Sequence, residues 1–308
     1  MTLLLSLVGT PTAHAATELY AWDWTRTHRF AIETQVQLPL YMWLGTAFNH
    51  QARITAFDLR LVTTCADADI EGRHQVEVTC TIDDVALSAA VYPADAGRLQ
   101  RVLDEIDTQL TGAGVQLVMQ DDGRLANIDL EGLDRRNPRA GRINENLRLI
   151  VTRGFAGLDL ALPSGDEAAW THYQSWLMRA PSVTGTSTGA EVIHREVDRV
   201  GGFATIVSGG QGVLLPGEGV NKYDTRMTSE TVFDLRAGRI SDRTWTVIGG
   251  PTPSSFVAQG TEGLAYVQSG RIVALTTDEP WSVGPSREQR LGPSQSAIIP
   301  WSIGMELR

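Results

Sequence analysis

One lysine, Lys222, and two cysteines, Cys65 and Cys80, are all that this 308-residue chain holds of those two types. Asp and Glu number 36 against 26 Lys and Arg, a net charge of −10, and the basic residues form no cluster. Phosphate neutralisation needs a basic face, so nucleic acid is not an expected partner. Adhesion to an anionic membrane through basic residues is disfavoured for the same reason. No apolar run in the mature part approaches the ~20 residues that cross a bilayer, so no transmembrane segment is expected there. The chain has no C-x-x-C, no phosphate loop ending in G-K-[ST] and no dinucleotide fingerprint. The expectation is therefore no metal site, no cofactor and no catalytic residue.

The first fifteen residues read as a targeting segment. Leu3 to Val8 is a short apolar run, and Ala13-His14-Ala15 is an A-x-A cleavage signal before Ala16. Met1-Thr2-Leu3 supplies no positive charge, so the signal is atypical or its start lies upstream. The expected product is exported, periplasmic or secreted. Hydrophobic residues make up 42% of the chain and charged residues 20%, which suits a globular fold rather than a disordered one. Residues 16–308 are expected to form a single β-rich domain, with a subdivision near 180–190 left open.

In an exported chain an even pair of cysteines favours a disulfide, and both cysteines lie in β-rich runs. Cys65–Cys80 is therefore the expected bridge.

Most of the sequence reads as strands. Residues 27–46 and 52–65 alternate or run apolar, with a phase slip near Asp58 that a bulge would explain. Strand content continues from His74 to Tyr92. Val115 to Gln120 and Arg124 to Leu130 flank Asp121-Asp122-Gly123, a hairpin signal. From Thr184 onward come short candidates: 190–200, 203–207, 228–235, 239–248, 256–259, 264–268 and 271–275. Gly or Pro clusters separate them, as in an antiparallel sheet or partly closed barrel.

Two stretches have helical spacing. Leu99, Val102, Leu103, Ile106 and Leu110 follow i, i+3, i+4, i+7, with Asp95 as N-cap and Gly112 or Gly114 at the exit. Ile143, Leu147, Ile150, Val151, Phe155 and Leu158 form a second stripe, in which Gly154 and Gly157 would permit close packing. Ser164-Gly165-Asp166-Glu167 fits a capping box, but Trp170 to Met178 reads equally as helix or strand. The expected fold class is α+β: a curved, mainly antiparallel sheet or partly closed barrel with two amphipathic helices.

Gly123-Arg124-Leu125, Gly238-Arg239-Ile240 and Gly270-Arg271-Ile272 read alike, as hairpin turns with glycine at positive φ. The segment Phe233-Asp234-Leu235-Arg236-Ala237-Gly238-Arg239-Ile240, with Arg243-Thr244-Trp245 after it, resembles hairpins of uncharacterised exported bacterial proteins. Those are similar in plan to the periplasmic lipoprotein-carrier fold, a curved antiparallel sheet wrapped around helices. The resemblance covers about the last third of the chain. It implies a concave sheet able to shelter an apolar ligand and brings no catalytic residues.

Three local patterns invite chemical readings. Gly185-Thr186-Ser187-Thr188-Gly189 matches the hydrolase elbow G-x-S-x-G, but no buried strand precedes it, no helix follows, and no histidine lies after His194. It is read as a flexible turn. Asp67-Ala68-Asp69-Ile70-Glu71-Gly72 resembles the start of a calcium loop, yet position twelve is Val78 where glutamate is needed. An acidic hairpin loop is the better reading. Gly209-Gly210-Gln211-Gly212 lacks phosphate-loop spacing and is read as a mobile loop. His28, His50, His74 and His172 make no ligand pattern and are read as surface or structural residues. Of the eight tryptophans, most are expected in the core or at its rim.

The leading expectation is a non-catalytic exported protein that binds a lipid-like or other apolar ligand, with the ligand-binding residues unassigned. A structural or interaction protein of the cell envelope comes second, and a serine hydrolase third.

Overall fold

A computed structural model describes residues 20–39, 54–67, 75–90, 103–104, 107–131, 151–165, 167–173, 175–178, 185–216, 223–251 and 266–276. The targeting segment, the acidic loop beyond Asp67, His50, His74 and the strand candidate 256–259 lie outside them. So does most of both helical stripes.

Eleven strands form one antiparallel sheet. They are β1 (His28–Pro39), β2 (Ile54–Asp67), β3 (Gln75–Ala90), β4 (Gly114–Gln120), β5 (Leu125–Leu130), β6 (Ala169–Tyr173), β7 (Gly185–Val200), β8 (Phe203–Pro216), β9 (Tyr223–Asp234), β10 (Arg239–Pro251) and β11 (Tyr266–Leu275). Their spatial order is β5-β4-β3-β2-β1-β11-β10-β9-β8-β7-β6. Two meanders, β1–β5 and β6–β11, are therefore joined where the first strand pairs with the last, Arg29 opposite Leu275 and Gln37 opposite Val267. The chain between β5 and β6 has to travel from one edge of the sheet to the other.

Its described part lies in the interior. Residues 151–155 are helical and continue into a 3₁₀ turn at Ala156–Leu158. Val151 and every residue from Arg153 to Leu162 are buried. The described end of the second stripe is thus buried all round instead of on one face. Gly154 and Gly157 have the role expected of them. A Cβ on Gly154 would lie 3.1 Å from a methyl of Leu61, and one on Gly157 would lie 2.5 Å from the Trp245 ring. In the first stripe Leu103 and Leu110 are buried while Asp104, Thr108 and Gln109 are exposed, and Gly112 leaves it at φ 81°.

The edge strands β5 and β6 do not pair with each other. Residues 159–162 lie between them as a wedge. Leu125 N, on β5, donates to Asp159 Oδ1 at 2.9 Å. Leu162 N donates to the Asp122 carbonyl in the β4–β5 turn at 2.6 Å. On the other side Trp170 Nε1, on β6, donates to the Ala161 carbonyl at 2.8 Å. Asp159 Oδ2 accepts from Ser175 Oγ and Trp176 N, just beyond β6. The sheet is curled around its own linker, and one carboxylate ties both edges.

The N-terminal segment covers one end of this curl. Trp22 and Trp24 stack with ring centroids 4.9 Å apart, and Trp22 meets Phe233 edge-on. Tyr20 donates to Glu196, which also accepts from Arg199. Asp23 N donates to the Gly238 carbonyl at 2.8 Å.

Several local expectations are corrected. Gly123 and Gly238 do turn hairpins, at φ 81° and 59°. Gly270 does not: it lies in the middle of β11 opposite Trp245, whose ring occupies the space a Cβ would take. The described part of the 264–268 candidate, from Tyr266, and the 271–275 candidate are accordingly one strand. Gly209–Gly212 is part of β8 and no loop; Gly210 lies where Met178 Sδ would stand 2.7 Å from a Cβ, and Gly212 lies against Ala190. Ser164–Glu167 caps no helix, since β6 follows, and Trp170 to Met178 divides into that strand and a 3₁₀ turn at Trp176–Met178. Pairing is regular at Asp58, which faces Gln35 and Ser88; the slip in β2–β3 pairing comes at Val62/Thr63, where Asp83 is the extra residue. Cys65 and Cys80 face each other on β2 and β3, are fully buried, and are bonded as a disulfide.

Candidate functional site

Antiparallel neighbours held in register align their inward residues in rows across the sheet. One row on the concave face runs Trp170, His194, Ser208, Ser229, Trp245, Gly270, Thr34, from β6 round to β1. A neighbouring row holds Ile206, Thr231, Arg243 and Ile272. The face between β6 and β10 is thus apolar at its margins and polar along its middle, and Ser208, Ser229, Thr231, His194, His172 and Arg243 are all buried.

The β6–β7–β8 pairing builds a hydrogen-bonded chain there. His172 Nδ1 and His194 Nε2 are 2.7 Å apart, and His194 Nδ1 lies 2.8 Å from Ser208 Oγ. Trp170 stacks on the His194 ring at 5.3 Å and 17°, and the two imidazoles stack at 4.9 Å. Burial is the main force that lowers both histidines below the usual imidazole range, His194 to about 2, where the His172 imidazole and Arg243 add to it. Both rings are neutral at physiological pH. Two proton orders then satisfy the chain. Either His172 donates to His194, which donates to Ser208, or the sequence runs in reverse. In both, His172 Nε2 is left buried without a protein partner among the described residues.

Arg243 anchors the other side. Its Nη1 donates to the carbonyls of Gly157 at 2.8 Å and Asp159 at 2.7 Å, holding the interior linker on the sheet. The guanidinium is wholly enclosed, and burial lowers it to about 10. Arg153 donates to Gln268 Oε1, and Gln268 Nε2 bonds the Arg153 carbonyl and Thr34, which ties the helical residues to β11 and β1.

Ser187, the sequence candidate for a nucleophile, lies in β7 opposite Leu214, so its G-x-S-x-G is strand and neither an elbow nor a turn. The serine that meets a histidine is Ser208, which no motif marks. Its contact depends on which residue of β7 lies opposite it, and the bulge between Glu196 and Asp198 shifts that register by one from the count that the Gly201-Gly202 turn would set. His194 is a weak base at so low a pKa, and among the described residues no carboxylate hydrogen-bonds the His172–His194–Ser208 chain to orient it, which suits fixed hydrogen bonding better than proton abstraction. His28, also buried, donates from Nε2 to the Asp23 carbonyl at 2.6 Å. Among the described residues no group of three or more His, Cys, Asp or Glu could hold a metal ion, and no helix is long and apolar enough to cross a membrane.

No protein-family model and no curated protein matches the sequence. Among solved structures, the chain is similar to that of DynF from the dynemicin biosynthesis pathway of Micromonospora chersina, at 8% identity over 90% of this chain and 95% of that one, with a TM-score of 0.21.

Proposed function

We propose that this is an exported, non-catalytic binding protein that holds a lipid-like or other apolar ligand against the concave face of its curled sheet. The observation that supports this most is the make-up of that face. Apolar walls surround a few buried polar groups that converge and still have hydrogen-bonding capacity to spare, the usual character of a small-molecule site. The disulfide is compatible with an oxidising compartment.

Native mass spectrometry of protein purified without detergent, with displacement of a fluorescent fatty acid, tests the reading. A co-purifying apolar molecule, or saturable displacement, is the expected result. Neither would be seen if the linker at 151–162 fills the interior completely. The protein would then be a structural or interaction component of the cell envelope, a reading that the close fit of Gly154 and Gly157 against the sheet supports.

A further inference from the structure

On the reading that the concave face holds an apolar ligand, we infer that this ligand carries an oxygen acceptor, a carbonyl or carboxylate, and that this end docks on a two-by-two patch of donors at Ser229, Thr231, Arg243 and Trp245. The patch is set by register. Thr231 lies opposite Arg243, and Ser229 opposite Trp245, on the paired strands β9 and β10. All four side chains are buried, none more than 6% exposed. Each has one polar atom without a partner among the described residues: Ser229 Oγ, Thr231 Oγ1, Arg243 Nε and Trp245 Nε1.

The chemistry of those atoms selects the ligand. Indole Nε1 and guanidinium Nε donate only, and a hydroxyl can donate. The patch therefore offers four donors and no obligate acceptor. A buried polar group without a partner is destabilising, so four on neighbouring positions are an unusual concentration of unmet demand. Arg243 adds positive charge. Its bonds go to two neutral carbonyls, and the Asp159 carboxylate acts on it only through space. An oxygen with lone pairs and partial or full negative charge accepts from donors of this kind, whereas a hydroxyl-free hydrocarbon meets none of them. The next row of the face, Met227 and Val247, is apolar and offers a surface for the remainder of such a molecule.

Oleate and the oxygen-free 9-octadecene, each delivered from cyclodextrin, serve as probes for the wild-type protein and for Ser229→Ala/Thr231→Val. Oleate is expected to bind the wild type more tightly than 9-octadecene. The double variant should lose roughly tenfold or more in oleate affinity, as two hydrogen bonds of ordinary net strength imply. It should bind 9-octadecene as the wild type does. Its unliganded melting temperature should not fall, because the removed hydroxyls have no protein partner. Equal binding of the two probes to the wild type, or undiminished oleate binding by the variant, overturns the docking assignment while the binding function stands. A lower melting temperature of the unliganded variant, with oleate binding unchanged, overturns it in favour of ordered water on the patch. Failure of both probes to bind the wild type removes the binding function itself, and the assignment with it.

Discussion

Asp159 accepts a hydrogen bond from the Leu125 main-chain N–H at 2.9 Å, across 34 positions of sequence, and so attaches the linker to an edge strand that has no neighbour on that side. Its other oxygen binds Ser175 and Trp176 N next to the opposite edge. Asp159→Ala would strip two buried donors and one half-buried donor of their acceptor. At roughly 1–3 kcal/mol for each buried donor left unmade, the expected loss is at least about 2 kcal/mol. Urea unfolding measures it, and a change below about 1 kcal/mol would show that the two edges do not depend on this carboxylate.

Cys65 and Cys80 are 15 positions apart. In the chain-entropy account a loop of that length is worth about 3 kcal/mol. Cys65→Ala/Cys80→Ala should unfold at correspondingly lower urea. Thiol titration of denatured, non-reduced wild type should find no free thiol. Two thiols per chain would contradict the bridge.

The buried histidines predict acid sensitivity. A free imidazole titrates near 6.5, and burial holds His28, His172 and His194 below that, His194 at about 2. Below about pH 6.5 the unfolded chain therefore binds protons that the folded chain refuses. Their contribution to stability is complete above about pH 7 and is lost as pH falls, by up to about 1.4 kcal/mol per pH unit for each histidine. For His194 that loss continues toward pH 2. Urea midpoints at pH 7.5, 6.5 and 5.5 should decline, and His194→Gln should decline less steeply. A midpoint independent of pH over this range is the contrary outcome.

Gly270→Ala is expected to destabilise, because its Cβ would fall 2.1 Å from Trp245 Cζ2 in a site closed on the other side by Gly157. Overpacking of this kind costs typically about 1–3 kcal/mol. Tryptophan emission should shift with it as the ring is displaced. A substitution without effect on melting temperature would mean that the ring has room to move.

Ser187→Ala should leave any esterase activity of the protein unchanged, since its segment is strand instead of the strand-to-helix turn a nucleophile requires. A fall of about 100-fold in a variant that remains folded would restore the hydrolase reading.

The division between what is local and what is not explains how far the sequence could be read. The β4–β5 hairpin is legible because Asp121-Asp122-Gly123 imposes its own geometry, and Gly123 takes the positive φ that such a turn needs. The disulfide is legible because two cysteines leave one pairing. Gly154 and Gly157 are recognisable as close-packing points within their stripe.

Gly238-Arg239-Ile240 and Gly270-Arg271-Ile272 show where such reading stops. Their local patterns are the same, yet one is a turn and the other mid-strand, and the difference is the Trp245 ring lying over Gly270 from the next strand. The same holds for the glycines of β8, which read as a loop until Met178 and Ala190 are placed against them. Composition and periodicity by themselves determined a β-rich, disulfide-bonded chain with these hairpins. The pairing of β1 with β11, the linker's path through the interior, the His172–His194–Ser208 chain and the four-donor patch were decided only by tertiary structure. The β1–β11 pairing and the linker bring together residues far apart in sequence, while the histidine chain and the donor patch depend on the exact register of neighbouring strands, where a one-residue slip would send those side chains to the other face.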